Sequence, residues 1–407
     1  MYFLNIIIIL SVLVKLINAS DIKLYKAIKQ INGQSIINAG YTGKNVKIGI
    51  IDAGFDGLAN WEVFQNIRDN DLIKYKKNFV PDSITGLYEG QHGSWVLSYI
   101  VGKLDNYQEG LAPNAEIYIA RNEFGPDDYR IEEIYLEQAI EEMYDLGVRL
   151  INISSGYTDK FDNSDEEYNP EDMNGQTSYI SQVCKKFADK GVIFVVAAGN
   201  EGNWWKFWSG LISTPADVEN VISVGATDFN ILFNTENNGK SILKADYSGV
   251  GPEFLNYVKP DFVCYSEQGC SMSAPIITGL IATMLEIDNS LTVNQVKEIL
   301  KKSSTLYPYP NNYIGYGVPD AAKVLSYMTK PEINLPESVL IEVNEDEYEF
   351  KTDSDEIFVF YKKDEHIVES QEFESSSNGK FILKRSGSSR TSVVLGKDTV
   401  YEIVWKD

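Results

Sequence analysis

Between residue 46 and about residue 228, short apolar runs alternate with stretches of helical periodicity. Runs that fit β-strands cover residues 46–52, 117–122, 149–154, 192–198 and 221–224. Between them, residues 130–146 and 180–190 place apolar side chains at helical spacing against polar ones. Nearly continuous apolar strands joined by helices are typical of a parallel sheet that is covered on both faces. The pattern therefore predicts an α/β domain built on a central parallel sheet.

The pattern changes near residue 331, where strand-like runs follow one another without a helix-length apolar stripe. These runs are rich in β-branched and aromatic residues and cover residues 339–343, 357–361, 381–384, 392–395 and 400–405. Such a series predicts a small antiparallel β-sandwich over residues 331–407. We expect the preceding residues, 20–330, to form one domain that folds without this tail.

The first 14 residues are almost all apolar, and Lys15 and the small residues around Ala19 follow them. Because this run is too short to span a bilayer comfortably, it is interpreted as a cleaved signal peptide over residues 1–19. The protein is then secreted or extracytoplasmic. No Lys or Arg precedes the apolar core, so a short membrane anchor and an N-terminal helix of a cytosolic protein stay open as alternatives.

Composition narrows the classes of function. The chain has 407 residues, of which 43% are hydrophobic, and a formal net charge of −23. This size and apolar content predict a globular protein, whereas the negative charge argues against nucleic acid or an anionic membrane as the main partner. Three cysteines are too few for a disulfide framework. Cys264 and Cys270 could form one bridge or remain free thiols.

Only two histidines could serve as a base near neutral pH. His366 lies in a charged segment of the predicted β tail, which favours a solvated surface role. His92 is followed by Gly93, which allows another chain to approach closely, and by an apolar helix over residues 95–101. If the chain has a catalytic base, it is His92.

Asp52 ends a strand that is otherwise apolar. The carboxyl ends of parallel strands are where open α/β sheets place their active sites, so this carboxylate is a candidate partner for His92. A helix N-cap is the alternative role.

Ser271 precedes a predicted apolar helix over residues 276–285. It fits either an N-cap or a nucleophile whose developing charge is stabilised by the free N–H groups of that helix. Asn200 follows the strand over residues 192–198 and stands between two glycines. It fits an oxyanion donor or a residue that braces a loop.

Together these four segments resemble the subtilisin family of serine peptidases, in which Asp, His and Ser follow in this chain order. The resemblance runs from about residue 43 to residue 323 and includes further matches at residues 110–113, 152–156, 259–261 and 315–317. It implies a three-layer α/β peptidase domain and a secreted serine endopeptidase that cleaves extended polypeptide.

The resemblance also assigns roles. Ser271 would attack the scissile carbonyl, His92 would accept and return its proton, and Asp52 would orient the imidazole. The Ser271 N–H and the Asn200 side chain would hold the oxyanion. Substrate would contact two segments of the cleft, namely Ser154, Ser155 and Gly156 on one side and Ala197, Ala198 and Gly199 on the other.

This chemistry needs no cofactor, and no metal ligands are assigned; a structural calcium ion, common in the family, cannot be placed on any residues. The role of the tail in targeting or partner binding is unknown.

Two positions depart from the family pattern. Ala53 stands where a hydroxyl residue is usual, so Asp52 should lack one hydrogen bond, and Cys270 stands where a Thr is usual. A Thr hydroxyl there could support the oxyanion, and a thiol is a weaker donor; Cys270 could equally be a small buried filler. A catalytically silent relative remains the chief alternative. A carboxylate-based acid peptidase of related fold would need an acidic residue in place of His92.

Overall fold

The computed structural model describes residues 23–81, 90–123, 128–159, 161, 167–202, 210–227, 241–330, 338–396 and 399–406. The predicted signal peptide over residues 1–19 lies outside these ranges, and its assignment stays a prediction. The domain boundaries predicted at residues 20, 330 and 331 stay predictions as well.

A seven-stranded parallel sheet forms the centre of the fold, with strand order β3-β5-β2-β6-β7-β8-β9. In chain order the strands are β2 (Lys47–Asp52), β3 (Ile73–Asn78), β5 (Glu116–Arg121), β6 (Leu150–Ile153), β7 (Ile193–Ala197), β8 (Ile222–Thr227) and β9 (Phe262–Tyr265). A separate parallel pair joins β1 (Lys23–Leu24) to β4 (Tyr107–Gln108). The parallel sheet and five of its strands confirm the sequence prediction, which missed β3 and β9.

Helices cover both faces of this sheet. They are α1 (Lys26–Gln30), α2 (Gln34–Ala39), α3 (Gln65–Asp69), α4 (His92–Val101), α5 (Arg130–Asp145), α6 (Tyr179–Ala188), α7 (Ala274–Ile287), α8 (Val293–Ser303) and α9 (Ala321–Thr329). Because side chains alternate along a strand, Ile48 and Ile50 pack with α4 and α7, whereas Ile51 packs with α5 and α6 on the other face. The result is the predicted three-layer arrangement, with α4 and α7 on the face that carries the candidate site.

Side-chain caps define where several helices begin. Ser178 accepts a hydrogen bond from the Ser181 N–H at the start of α6. Thr292 and Gln295 form a reciprocal capping box at the start of α8. Such caps satisfy backbone donors that have no partner within the helix.

Helix α7 is apolar on all sides. Of the described residues, only the segment Cys270–Ile287 is long and apolar enough to cross a bilayer, and 89% of it is buried inside the protein. The core helix of a globular domain has these same properties, and α7 packs against β6, β7, β8 and β9.

The tail is all-β, as predicted. A five-stranded sheet has the order β10-β16-β15-β12-β13, and a two-stranded sheet pairs β11 with β14. The strands are β10 (Ser338–Val343), β11 (Glu347–Lys351), β12 (Ile357–Lys362), β13 (Val368–Glu374), β14 (Lys380–Lys384), β15 (Arg390–Leu395) and β16 (Thr399–Trp405). An apolar cluster that includes Phe350, Val359 and Ile403 lies between the two sheets. The antiparallel prediction was wrong for one pair, because β10 and β16 run parallel.

The other face of the five-stranded sheet packs against the peptidase region. Phe358, Phe360, Val368, Val394 and Val400 belong to the same buried cluster as α7 and the central sheet. This shared core argues against the expectation that residues 20–330 fold unaided.

Hydrogen bonds reinforce the junction between the tail and the peptidase region. The Gln371 amide accepts from Lys244 N at 2.9 Å and donates to Lys244 O at 3.0 Å. The Asn312 carboxamide oxygen accepts from Val368 N at 3.0 Å. The tail and the peptidase region are therefore joined by hydrogen bonds as well as by apolar contacts.

Candidate active site

The carboxyl ends of β5, β2, β6 and β7 lie side by side and form the candidate site. Asp52 on β2 is in register with Arg121 on β5. Ile51 is in register with Ile153 on β6. The residues that follow these strands therefore meet at one sheet edge, where ligands of open α/β sheets bind. Asp52, Ser154 and Asn200 reach the same edge because each ends a strand or follows one.

Asp52 and His92 are in direct contact. The His92 Nδ1 atom lies 2.7 Å from Asp52 Oδ1, and the side chains are 32% and 1% exposed, respectively. Asp52 Oδ1 also accepts from Ala53 N at 2.8 Å. Asp52 Oδ2 is buried without a hydrogen-bond partner among the described residues. This is the missing bond expected from Ala53, whose methyl side chain has no donor.

Gly93 explains how helix α4 approaches β2 so closely. A Cβ atom on Gly93 would lie 2.7 Å from Gly54 O and 2.9 Å from Asp52 Cβ. Any larger residue would therefore push the first turn of α4, and with it His92, away from the carboxylate.

The environment of His92 favours its charged form. The Asp52 carboxylate is the main cause that raises the pKa of His92 to about 9; burial opposes the rise, and the Glu123 carboxylate adds to it. An opposite charge within a few ångströms stabilises the imidazolium more than partial burial destabilises it. The Asp52 carboxylate therefore moves the deprotonation of His92 to higher pH than that of a free imidazole.

Ser271 lies in the 3₁₀ turn Cys270–Met272, directly before α7. Its Oγ donates to Ser154 O at 2.9 Å, and Ser154 Oγ donates back to Ser271 O at 2.9 Å. No hydrogen bond joins Ser271 to His92 in the described part of the chain. Helix α4, which carries His92, packs against this 3₁₀ turn, so rotation about the Ser271 side chain is the motion that would bring the hydroxyl to the imidazole.

A buried chain of hydrogen bonds fixes this turn from beneath. Thr278 Oγ1 on α7 donates to Asn152 Oδ1 at 2.7 Å. Asn152 Nδ2 on β6 then donates to Ser154 Oγ at 2.9 Å. Because every member is buried, the chain holds Ser154 and the backbone of Ser271 in one geometry.

The Asn200 amide is oriented by the backbone next to Ser271. Asn200 Oδ1 accepts from Cys270 N at 2.8 Å, so Nδ2 points its hydrogens away from that contact. Gly269 has φ +97°, and a Cβ there would lie 3.0 Å from Asn200 Oδ1. Asn200 is exposed, which leaves its donor accessible to a bound molecule.

The two predicted substrate segments face one another across a buried hydroxyl. A Cβ on Gly156 would lie 2.2 Å from Ser213 Oγ, and one on Gly199 would lie 2.9 Å from it. Ser213 therefore fills the space between these two segments. Its Oγ is buried without a hydrogen-bond partner among the described residues. Ala197 and Ala198 are buried in the wall that precedes Gly199.

The Cys270 side chain is buried. Its Sγ lies 3.5 Å from Ser248 Oγ, and burial is the main cause that raises the pKa of this thiol to about 11. All three cysteines are buried and free, so Cys264 and Cys270 do not form a bridge.

The structure thus gathers all ten residues assigned by the resemblance at one sheet edge, while the Ser271 hydroxyl is bonded to Ser154 rather than His92. Sequence reasoning did not single out Glu123, Ser213 or Thr278, and it assigned no separate role to Asn152 and Gly269, which lie in matched segments. Glu123 lies two residues beyond strand β5, and this position after a strand end could have identified it as a candidate site residue. Among the described residues, no group of three or more His, Cys, Asp or Glu side chains is placed to hold a metal ion.

Comparison with known proteins gives the family. The model of the subtilase family, peptidase S8, matches residues 43–317. Subtilisin NAT of Bacillus subtilis subsp. natto is 28% identical over 307 residues, which are 71% of this chain and 68% of that protein. Minor extracellular protease Epr of Bacillus subtilis (strain 168) is 26% identical over 272 residues, 65% of this chain and 36% of that protein.

The fold agrees. The solved structure of the Clostridium perfringens CspB protease matches with a TM-score of 0.56 and 17% identity, and it covers 75% of this chain and 99% of that one. With the family model matching most of the chain, the protein belongs to the subtilase family and is a serine-type peptidase that acts on polypeptide.

Proposed function

We propose that this peptidase cleaves internal bonds of extended polypeptide through Asp52, His92 and Ser271 and an acyl-enzyme intermediate. The observation that carries the proposal is the 2.7 Å contact between Asp52 and His92 beside the turn that holds Ser271. A buried carboxylate at Nδ1 fixes the tautomer that leaves Nε2 free to accept a proton.

The chemistry follows from these positions. Ser271 Oγ leaves the Ser154 carbonyl, transfers its proton to neutral His92 and bonds to the scissile carbonyl carbon. The C–N bond then breaks as the imidazolium returns the proton to the leaving amine. Water repeats the sequence, with its proton passing through His92, and releases the acid product and Ser271. Chain and substrate supply every group, so the steps need no cofactor.

Two donors would hold the tetrahedral oxyanion, the Ser271 backbone N–H and Asn200 Nδ2. The bond from Cys270 N to Asn200 Oδ1 supports this role, because it sets the amide before substrate arrives. Donors fixed in advance stabilise the charge that develops in the transition state.

We further propose that the substrate strand lies between the segments at Ser155 and Gly199 and that the enzyme is secreted. The buried hydroxyl of Ser213, which has no hydrogen-bond partner among the described residues, supports binding of a polar backbone or side-chain group there. Secretion is supported by the apolar pattern of residues 1–19 and by the likeness to an extracellular protease.

Turnover of an unstructured peptide by wild type and Ser271→Ala tests the proposal. Loss of the nucleophile in subtilisin itself lowers turnover by about 10⁶-fold, and we expect a loss of that order here. Ser271→Ala with wild-type turnover would contradict the triad. A wild type that is folded and inactive on a diverse peptide library would favour the silent relative instead.

A further inference from the structure

Glu123 follows the strand that is paired with the strand of Asp52. It follows β5 by two residues, and β5 is hydrogen-bonded to β2 with Arg121 opposite Asp52. Ser155 follows β6 by two residues on the other side of β2. Since neighbouring strands are about 4.8 Å apart, Glu123 and Ser155 both follow strands that flank the one ending at Asp52.

One oxygen of the Glu123 carboxyl is not satisfied by a hydrogen bond within the described part of the chain. Its Oε1 atom is buried without a hydrogen-bond partner among the described residues. A buried carboxylate oxygen without a donor is costly and calls for an explanation. Asp52 Oδ2 is a second buried carboxylate oxygen without a hydrogen-bond partner among the described residues.

Electrostatics link this carboxyl to the imidazole. Burial is the main cause that raises the pKa of Glu123 to about 7, and the Asp52 carboxylate adds to the rise; a hydrogen bond with the Ser155 hydroxyl and, less strongly, the charge of His92 lower the pKa. Conversely, Glu123 raises the pKa of His92, after the larger effects of Asp52 and burial. In the described part of the chain, Asp52 and Glu123 are the charged groups that act on His92, and Asp128 also acts on Glu123.

We propose that Glu123 is a positioning residue for this peptidase, whose carboxylate acts through space to stabilise the His92 imidazolium that forms when Ser271 loses its proton. The inference rests on the proposed function. Reaction at Ser271 places a positive charge on His92, and a second carboxylate at the same sheet edge stabilises that charge. The same carboxylate holds more of the resting enzyme in the protonated, inactive form at neutral pH.

The sign of the effect on activity is fixed by this linkage. In Glu123→Gln the imidazolium loses one stabilising charge, so the pKa of His92 falls. The acid limb of kcat/KM then moves to lower pH, and each pH unit of movement raises kcat/KM on that limb roughly tenfold. The alkaline plateau should fall, because the weaker base removes the Ser271 proton less effectively.

The direct test is the NMR titration of His92 in a Ser271→Ala background. The chain has only two histidines, so a His366→Asn variant assigns the two imidazole signals. Glu123→Gln should move the His92 midpoint to lower pH. Glu116→Gln is the matched control, since Glu116 begins the same strand at the opposite edge of the sheet and loses the same charge. Equal midpoints in Glu123→Gln and its parent, or equal shifts in both variants, would overturn the proposal.

Two further measurements distinguish an effect of the Glu123 charge from an effect of packing, and a failure of this proposal from a failure of the proposed function. Glu123→Asp keeps the charge on a shorter side chain, and its His92 midpoint should lie between those of wild type and Glu123→Gln. A midpoint equal to that of Glu123→Gln would show that packing, not charge, governs His92. The NMR result does not depend on turnover, so a failure of the proposed function would appear separately, as an inactive wild type with a normal His92 response.

Discussion

Replacing Gly269 by Ala should damage the oxyanion hole without touching the triad. Gly269 precedes the nucleophile turn in a left-handed conformation, with φ +97°. The added Cβ would lie 3.0 Å from Asn200 Oδ1 and 3.1 Å from Nδ2. These contacts are too short for carbon against an amide, so the Asn200 carboxamide must shift by a few tenths of an ångström.

The size of the effect follows from the geometry of oxyanion donors. A donor acts at about 2.7–3.1 Å, and its removal from subtilisin itself costs about 10²–10³ in turnover. A shift of a few tenths of an ångström moves Asn200 Nδ2 to the limit of that range. We therefore expect Gly269→Ala to lower kcat by about 10- to 100-fold, with little change in KM, because the lost bond forms in the transition state.

Backbone strain is the confounding effect, and the chain offers a matched control. A non-glycine residue at such a φ costs about 1–3 kcal/mol. Gly191 has φ +93°, and a Cβ there would have no atom within 4 Å. Gly191→Ala should therefore lose similar stability, measured by urea unfolding, and keep wild-type kcat.

Steady-state kinetics on one peptide, with Asn200→Ala as the reference, decide the matter. Gly269→Ala should fall between wild type and Asn200→Ala, and the double variant should be no slower than Asn200→Ala alone. Equal kcat values for the two glycine variants would refute the reasoning about the Asn200 amide.

Three other outcomes are expected. Asp261→Asn should cost about 3–5 kcal/mol of unfolding free energy, because Asp261 lies 2.7 Å from the buried Lys259 ammonium and the charge would lose its partner; a loss below 1 kcal/mol in urea unfolding would contradict this. Cys270→Thr should not raise kcat, and Cys270 should resist thiol reagents at neutral pH, because its Sγ is buried against Ser248; a raised kcat or rapid labelling would contradict it. Removal of residues 331–407 should give aggregated or less stable protein, because the tail shares a buried cluster with α7; a monomeric truncation as stable as the full chain would contradict it.

The central sheet was predictable because its inner strands are apolar on both faces. Residues 46–52 and 192–198 are such strands, and their nearly continuous apolar runs are typical of buried parallel strands. Strand β3 was missed because it lies at the sheet edge and alternates lysines with apolar or aromatic side chains, which reduces the apolar signal.

Within the site, residues at strand ends could be predicted, and contacts between strands could not. Asp52, His92, Asn200 and Ser271 stand in distinctive local sequences. The environment of Glu123 depends on the register between β5 and β2, which no local pattern encodes. The orphaned Asp52 Oδ2 is intermediate, since Ala53 in the sequence already indicates a missing donor.

The central claim is that Ser271, activated by His92, is the nucleophile. A fluorophosphonate probe followed by intact mass measurement and peptide mapping tests it directly, because the probe forms a covalent bond only with an activated hydroxyl. We expect a single adduct on the peptide that contains Ser271, slower labelling in His92→Ala, and no adduct in Ser271→Ala. An unlabelled wild type, or an adduct on another residue that persists in Ser271→Ala, would contradict the account.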